Sequence, residues 1–139
     1  MPLAAHIRKM NPRVGDADTH RLLRRGIAYG ESYDLEAQVG SAGSREADRG
    51  LLFVSYQASI RNQFEFVQQS WANNSAFPTH ASPAGHDPII GQDQSGKRFF
   101  GIPGPHASMP ITDIDPFVVT TGTLYCFQPS ISMLKSIGG

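Results

Sequence analysis

The stretch from Gly50 to Asn73 reads GLLFVSYQASIRNQFEFVQQSWAN, and its two halves carry different periods. Leu51-Leu52-Phe53-Val54-Ser55-Tyr56 is a short apolar run, β-branched and aromatic, that starts just after Gly50. That composition predicts a mostly buried strand. From Ser59 to Ala72 the apolar residues Ile60, Phe64, Val67 and Trp71 recur at spacings of 4, 3 and 4. This is one face of an amphipathic helix, with Ser59 placed to cap its start and Asn73 to end it. The stripe reads as core packing rather than as a ligand box. A strand that feeds a helix with so short a link argues for a mixed α and β domain.

Working outward, Asp16–Arg25 reads as a short helix. Asp16, Asp18 or Thr19 can cap it, Leu22 and Leu23 give it an apolar side, and Gly26 suits the position past its end. Residues 40–50, rich in Gly and Ser, read as a flexible surface connection. Seven of the ten prolines fall between Pro78 and Pro116, so residues 73–116 are expected to be mostly irregular. Further on, Phe117–Thr121 and Thr123–Phe127 flank Gly122 and predict a β-hairpin. Pro129 is expected to open a terminal helix containing Ile131, Leu134 and Ile137. The expected fold class is α+β, with an antiparallel sheet covered on one face by helices and short of strands.

Composition narrows the function classes. The 139 residues hold 12 Lys+Arg against 12 Asp+Glu, 40% apolar residues and a single cysteine, Cys126. This is one domain of ordinary size. Balanced charge gives no overall bias towards nucleic acid, and no apolar run is long enough to span a membrane. One cysteine excludes an intrachain disulfide framework and any multi-cysteine zinc site. Charge is uneven, since residues 1–30 carry six basic and two acidic residues. The bland reading of that segment, Arg8, Lys9 and Arg13 included, is a solvated cationic face.

No G-x-S-x-G, G-x-G-x-x-G, G-x-x-x-x-G-K-[ST] or H-E-x-x-H pattern occurs, so the corresponding chemistries find no support. His80, His86 and Asp87 share a loop, but their spacing is no recognised metal pattern. His6 can hold an iron axially if its other ring nitrogen donates to an acceptor that fixes the tautomer. Arg24, always charged, can stabilise negative charge developing on a bound oxygen. On residue type alone both serve equally well as ordinary structure. Leu51 and Phe53 point to the same side of their strand, where they can line an apolar pocket or simply pack.

A resemblance changes the weight of these residues. Pro2-Leu3-Ala4-Ala5-His6-Ile7-Arg8-Lys9-Met10-Asn11-Pro12-Arg13, followed by Arg24-Arg25-Gly26-Ile27-Ala28-Tyr29-Gly30, resembles the haem-ligand region of the dye-decolourising (DyP-type) peroxidases. Arg49–Ile60, Gln63–Asn73, Asp87-Pro88-Ile89-Ile90-Gly91 and the stretch from Phe117 to Ser132 resemble the same family, in the same order. The resemblance implies haem b held by His6 as proximal ligand, with Arg24 on the distal face where peroxide binds. It implies Asp87 as the carboxylate that accepts from the ligand imidazole, and Leu51 and Phe53 as distal pocket residues. It also implies a ferredoxin-like half of a dimeric α+β barrel-type enzyme.

Two departures stand out. Ala28 replaces a proline usual in the arginine motif, and no G-x-x-D-G motif, the family's source of the distal acid/base aspartate, is present. The chain is therefore expected to be a C-terminal haem-ligating domain whose upstream half is absent, weak or inactive as a peroxidase alone. The implied reactants are hydrogen peroxide and a small reducing substrate such as a dye or phenol. A rival expectation is a non-catalytic haem-binding remnant or interaction module, associating as a homo-oligomer or otherwise through exposed sheet edges. The compartment stays open between the cytoplasm and export by an upstream signal.

Overall fold

The computed structural model describes residues 5–13, 15–32, 48–78, 84–93, 96–102 and 109–138. A one-turn helix α1 (His6–Lys9) leads to a tight 3-10 turn (Gly15–His20) and strand β1 (Leu23–Tyr29). Strand β2 (Gly50–Tyr56) returns antiparallel beside β1, pairing Leu23 with Tyr56 and Tyr29 with Gly50. Arg61–Glu65 and Val67–Ala72 run on through Phe66 as one helix, α2. A second antiparallel pair, β3 (Phe100–Ile102) with β4 (Met109–Ile111), and a terminal helix α3 (Ile131–Ile137) complete the elements. The result is a small α+β fold with, among the described residues, two separate two-stranded sheets.

Helix α2 forms where its apolar period predicts. Ser59 Oγ accepts from the Asn62 N–H at 3.2 Å, and Gln63 Oε1 accepts in return from the Ser59 N–H at 3.0 Å. Val67 and Trp71 of the stripe are buried, while Ile60 and Phe64 are half-buried. The core gathers Val67, Trp71 and Ala17, with Met10, Phe66 and Phe77 packed against them. Trp71 stacks on Phe77 at 5.5 Å between ring centroids, and the His20 ring stacks on Phe66 at 3.8 Å. The helix is wide, with bonds such as Glu65 N–H to Ile60 C=O. Apolar spacing does not encode that widening.

Other expectations are corrected. Residues 16–25 do not form one helix: the 3-10 turn stops at His20, and Leu23 onward joins a seven-residue ladder with β2. A full ladder satisfies the backbone more completely than a helix of only about ten residues, which is marginal by itself. β1 ends at Gly30, whose φ of +88° suits glycine; a Cβ there would lie 2.4 Å from the Asp48 carbonyl oxygen. β2 is a strand as expected but not a buried one, since Leu51, Leu52, Phe53 and Tyr56 are exposed. Among the described residues no helix layer covers the β1–β2 pair, although Phe53 reaches Phe64 of α2 at 6.2 Å.

The hairpin expected over 117–127 is absent; these residues are exposed and form no strand. A strand is stable only beside a partner, and among the described residues none lies alongside. α3 starts two residues later than expected, capped by Ser130, whose Oγ accepts from Met133 N–H at 3.2 Å. The described residues of 73–116 are largely irregular, with β3 and β4 as the exceptions. The connection expected at 40–50 lies outside the described residues except for 48–50. No helix among the described residues is long and apolar enough to cross a membrane.

Candidate functional site

His6 opens α1, and Asp87 opens the turn Asp87-Pro88-Ile89-Ile90-Gly91 on the far side of the chain. His6 Nδ1 lies 2.9 Å from Asp87 Oδ2 and 3.0 Å from Oδ1. Asp87 is completely buried, while the His6 side chain is 31% exposed. The carboxylate does two things at once. Its Oδ1 accepts from the backbone N–H groups of Ile89 (3.0 Å) and Ile90 (2.8 Å), which closes the turn, and both oxygens face the imidazole. Closing the turn and facing the imidazole are thus one structure.

The turn itself is tightly seated. Asp87 N–H donates to the Ala72 carbonyl at the end of α2, and Gly91 N–H donates to the Asp87 carbonyl. A Cβ on Gly91 would stand 2.4 Å from that Asp87 oxygen, so the close approach requires glycine. Burial pushes the Asp87 carboxyl up, but the His6 hydrogen bond and charge and the Ile90 and Ile89 N–H groups outweigh it, and the net shift is downward. Asp87 is therefore ionised near neutral pH, and a carboxylate accepts the Nδ1 proton. That leaves Nε2 as the basic, partly exposed nitrogen available to a ligand.

Two cations that the sequence placed on a solvated face, or did not single out, are interior. Lys9 is only 2% exposed. Its Nζ donates to the carbonyls of Asn74 (2.9 Å), Gly85 (2.8 Å) and Phe77. Burial lowers its pKa to about 8 against the raising pull of Asp87. Arg98, also buried, donates to the carbonyls of Gly91 (2.8 Å), Ile114 (3.3 Å) and Asp115. It thereby ties the end of the Asp87 turn to residues 114–115. Spacing alone held no signal for either role, because a cation among cations reads as surface.

Arg24 stands on β1, not at the end of a helix, and pairs with Ser55. In the same register Gly26 faces Phe53 and Ala28 faces Leu51. Directly paired residues of an antiparallel ladder share a face, so Arg24, Phe53 and Leu51 line one side of the sheet. Gly26 leaves that side low, and Leu51 folds over it: a Cβ on Gly26 would meet Leu51 Cδ1 at 3.2 Å. All three are exposed, and the Arg24 guanidinium has no hydrogen bond or ion pair among the described residues. The structure thus brings Arg24, Leu51 and Phe53 together, and separately His6 with Asp87.

His86 packs edge-on against Phe99 at 5.4 Å, and His80 lies outside the described residues. No cluster of three or more His, Cys, Asp or Glu suited to a metal ion occurs among the described residues. A group that asks for one imidazole nitrogen and brings its other donors with it fits what is present, and an iron porphyrin is such a group. Arg8, two residues after His6, adds a buried Nε with no hydrogen-bond partner, a donor free for an anionic substituent.

Comparison with known proteins supports the same direction. The family described as Dyp-type peroxidase, C-terminal, matches residues 1–83. A dye-decolorizing peroxidase of Auricularia auricula-judae is 37% identical over 150 residues, covering 99% of this chain and 28% of its own. A multifunctional dye peroxidase of Amycolatopsis sp. is 39% identical over 148 residues, covering 98% of this chain and 32% of its own. A crystal structure of the Auricularia enzyme superposes with a TM-score of 0.73 at 36% identity, over 88% of this chain and 30% of that one. The chain spans about a third or less of the length of the relatives it matches.

Proposed function

This chain belongs to the Dyp-type peroxidase family, and from that premise we propose that it is the haem-ligating C-terminal portion of a peroxidase that uses hydrogen peroxide to oxidise dyes or phenols. The observation that carries the reading is the His6 Nδ1 contact with both oxygens of the buried Asp87. His6 Nε2 is the atom that would hold the iron of the proposed haem b. When bound, the haem supplies the redox-active iron at which peroxide is reduced.

The chain's own residues do the rest. Asp87 fixes the Nδ1–H tautomer and orients the ring, leaving Nε2 as the ligating nitrogen. Arg24 is the proposed peroxide-side residue: its permanent positive charge stabilises negative charge developing on a peroxide oxygen. Leu51 and Phe53, on the same face, are the proposed apolar lining of that side. Overall, one peroxide takes up two electrons and two protons to give two waters, and two molecules of reducing substrate each yield one electron. With β1 and β2 forming a two-stranded sheet, both are edges, and we place association with a second copy or another chain there.

Hemin titration followed at the Soret band tests the reading. A saturable one-to-one complex that His6→Ala abolishes is expected; no saturable complex, or one unaltered in His6→Ala, overturns it. Arg24→Ala should keep the complex and slow its reaction with peroxide by about 10²–10³.

A further inference from the structure

Helix α1 is a single turn, and its N-cap residue Ala5 offers no side-chain hydrogen bond. So short a helix has no stability of its own, so the position of His6 is set by whatever ties α1 to its surroundings. One tie is the His6–Asp87 contact. The other is Lys9, three residues on, whose Nζ meets three carbonyls from two different segments. Asn74 and Phe77 belong to the turn after α2; Gly85 lies two residues before Asp87.

Gly85 is itself pinned, donating to the Ser75 carbonyl at 2.8 Å and bridging to Phe100. Its φ is +76°, and a Cβ there would lie 2.3 Å from Phe100 Cα. The ammonium therefore joins α1 to a rigid point on the Asp87 segment. An ammonium has three N–H donors, and three carbonyls use them all.

The placement of a charge here needs a reason, since three carbonyls are no counter-charge and burying a cation is costly. Asp87 supplies it. An imidazole that ligates a metal is neutral, and the fully buried carboxylate beside it then lacks a positive partner in His6. Lys9 feels the Asp87 charge and is in turn stabilised by it. Arg98, the other buried cation among the described residues, is held at the end of the Asp87 turn by the carbonyls of Gly91, Ile114 and Asp115.

We propose that Lys9 is a positioning residue for the His6–Asp87 pair, pinning α1 against the Asp87 segment and furnishing the counter-charge of Asp87 while the imidazole is neutral. The inference rests on the reading of His6 as the ligand, but its test does not depend on haem. In hemin-free protein, nitrogen-15 NMR of His6 reports the tautomer and the hydrogen-bonded Nδ1 proton. K9M is expected to lower the Nδ1–H population and shift that proton towards the free-imidazole position, whereas V67A, a change in the buried core, moves neither.

If K9M does not fold, K9R, which keeps the charge but displaces it, should shift the same proton partway. An unchanged Nδ1 proton in either folded variant overturns the proposal, as does an equal shift in V67A. In hemin-loaded protein, K9M should lower the ferric/ferrous potential, because a positive charge that disfavoured the ferric form is gone. An unmoved or raised potential counts against the counter-charge role. A hemin complex indifferent to His6→Ala would instead sink the ligand reading, leaving the tautomer measurement to judge Lys9 by itself.

Discussion

The block built from α1, the 3-10 turn, α2 and the Asp87 turn differs sharply from the β1–β2 ribbon and the residues after Pro116. In the block, Trp71 is 6% exposed and the buried polar residues Lys9, Asp87 and Arg98 all find partners. In the second region Leu23 is 73% exposed and Leu124 84%, with Leu51, Phe117, Val119 and Phe127 also turned to solvent. A backbone ladder is enough to place Arg24 beside Ser55, but it does not bury the side chains that flank it. The imidazole–carboxylate pair is thus complete within this chain, whereas the face that carries Arg24 has its register but no cover.

The strongest way to break the contrast is Trp71→Ala. It empties the centre of the block and should cost about 3–5 kcal/mol, read as a lower denaturant midpoint with loss of the hemin complex. A cost below 1 kcal/mol would place the stabilising core elsewhere. Next is Asp87→Asn, which presents an amide N–H₂ to Nδ1, favours the Nε2–H tautomer and so blocks the ligating nitrogen. Hemin affinity should fall about 10–100-fold in a Soret titration, while the Ile89 and Ile90 N–H groups keep an acceptor.

Acid provides a finer test. The Asp87 pKa is lower folded than unfolded, so its contribution is fully present above the ordinary carboxylate value. It is lost as pH falls through the folded value. Denaturant midpoints should therefore drop below about pH 4, and drop less in Asp87→Asn. The smallest effect on stability is expected on the ribbon. Arg24→Ala should leave the midpoint within about 0.5 kcal/mol, because the side chain is exposed and makes no polar contact among the described residues. A larger loss would show that the ribbon is more tightly held than its exposure implies.

Much of the block was legible because its signals are local. Helix α2 follows from four apolar residues on one face, and Ser59 and Asn73 mark its ends. The neighbourhood of Asp87 and His6 was suggested only by resemblance, for 81 residues separate them and no spacing rule spans that distance. The ribbon was misread where tertiary pairing overrode local preference: Leu23–Tyr29 follows capping residues and looks like a helix end, yet ladders with β2. The 117–127 stretch shows the converse, strand-like in composition and without a partner strand among the described residues.

By itself, then, the order of residues determined the period of α2 and the strand at Gly50–Tyr56, since periodicity acts over a few positions, and through the resemblance it singled out the imidazole and guanidinium worth testing. Only the tertiary structure decided that Asp87 meets His6 and that Lys9 is an interior ammonium. It alone put Arg24, Leu51 and Phe53 on one face. Those outcomes depend on which distant backbone carbonyls and ladder partners a group meets after folding, and a lysine or a carboxylate looks the same in one dimension whether water or protein will surround it.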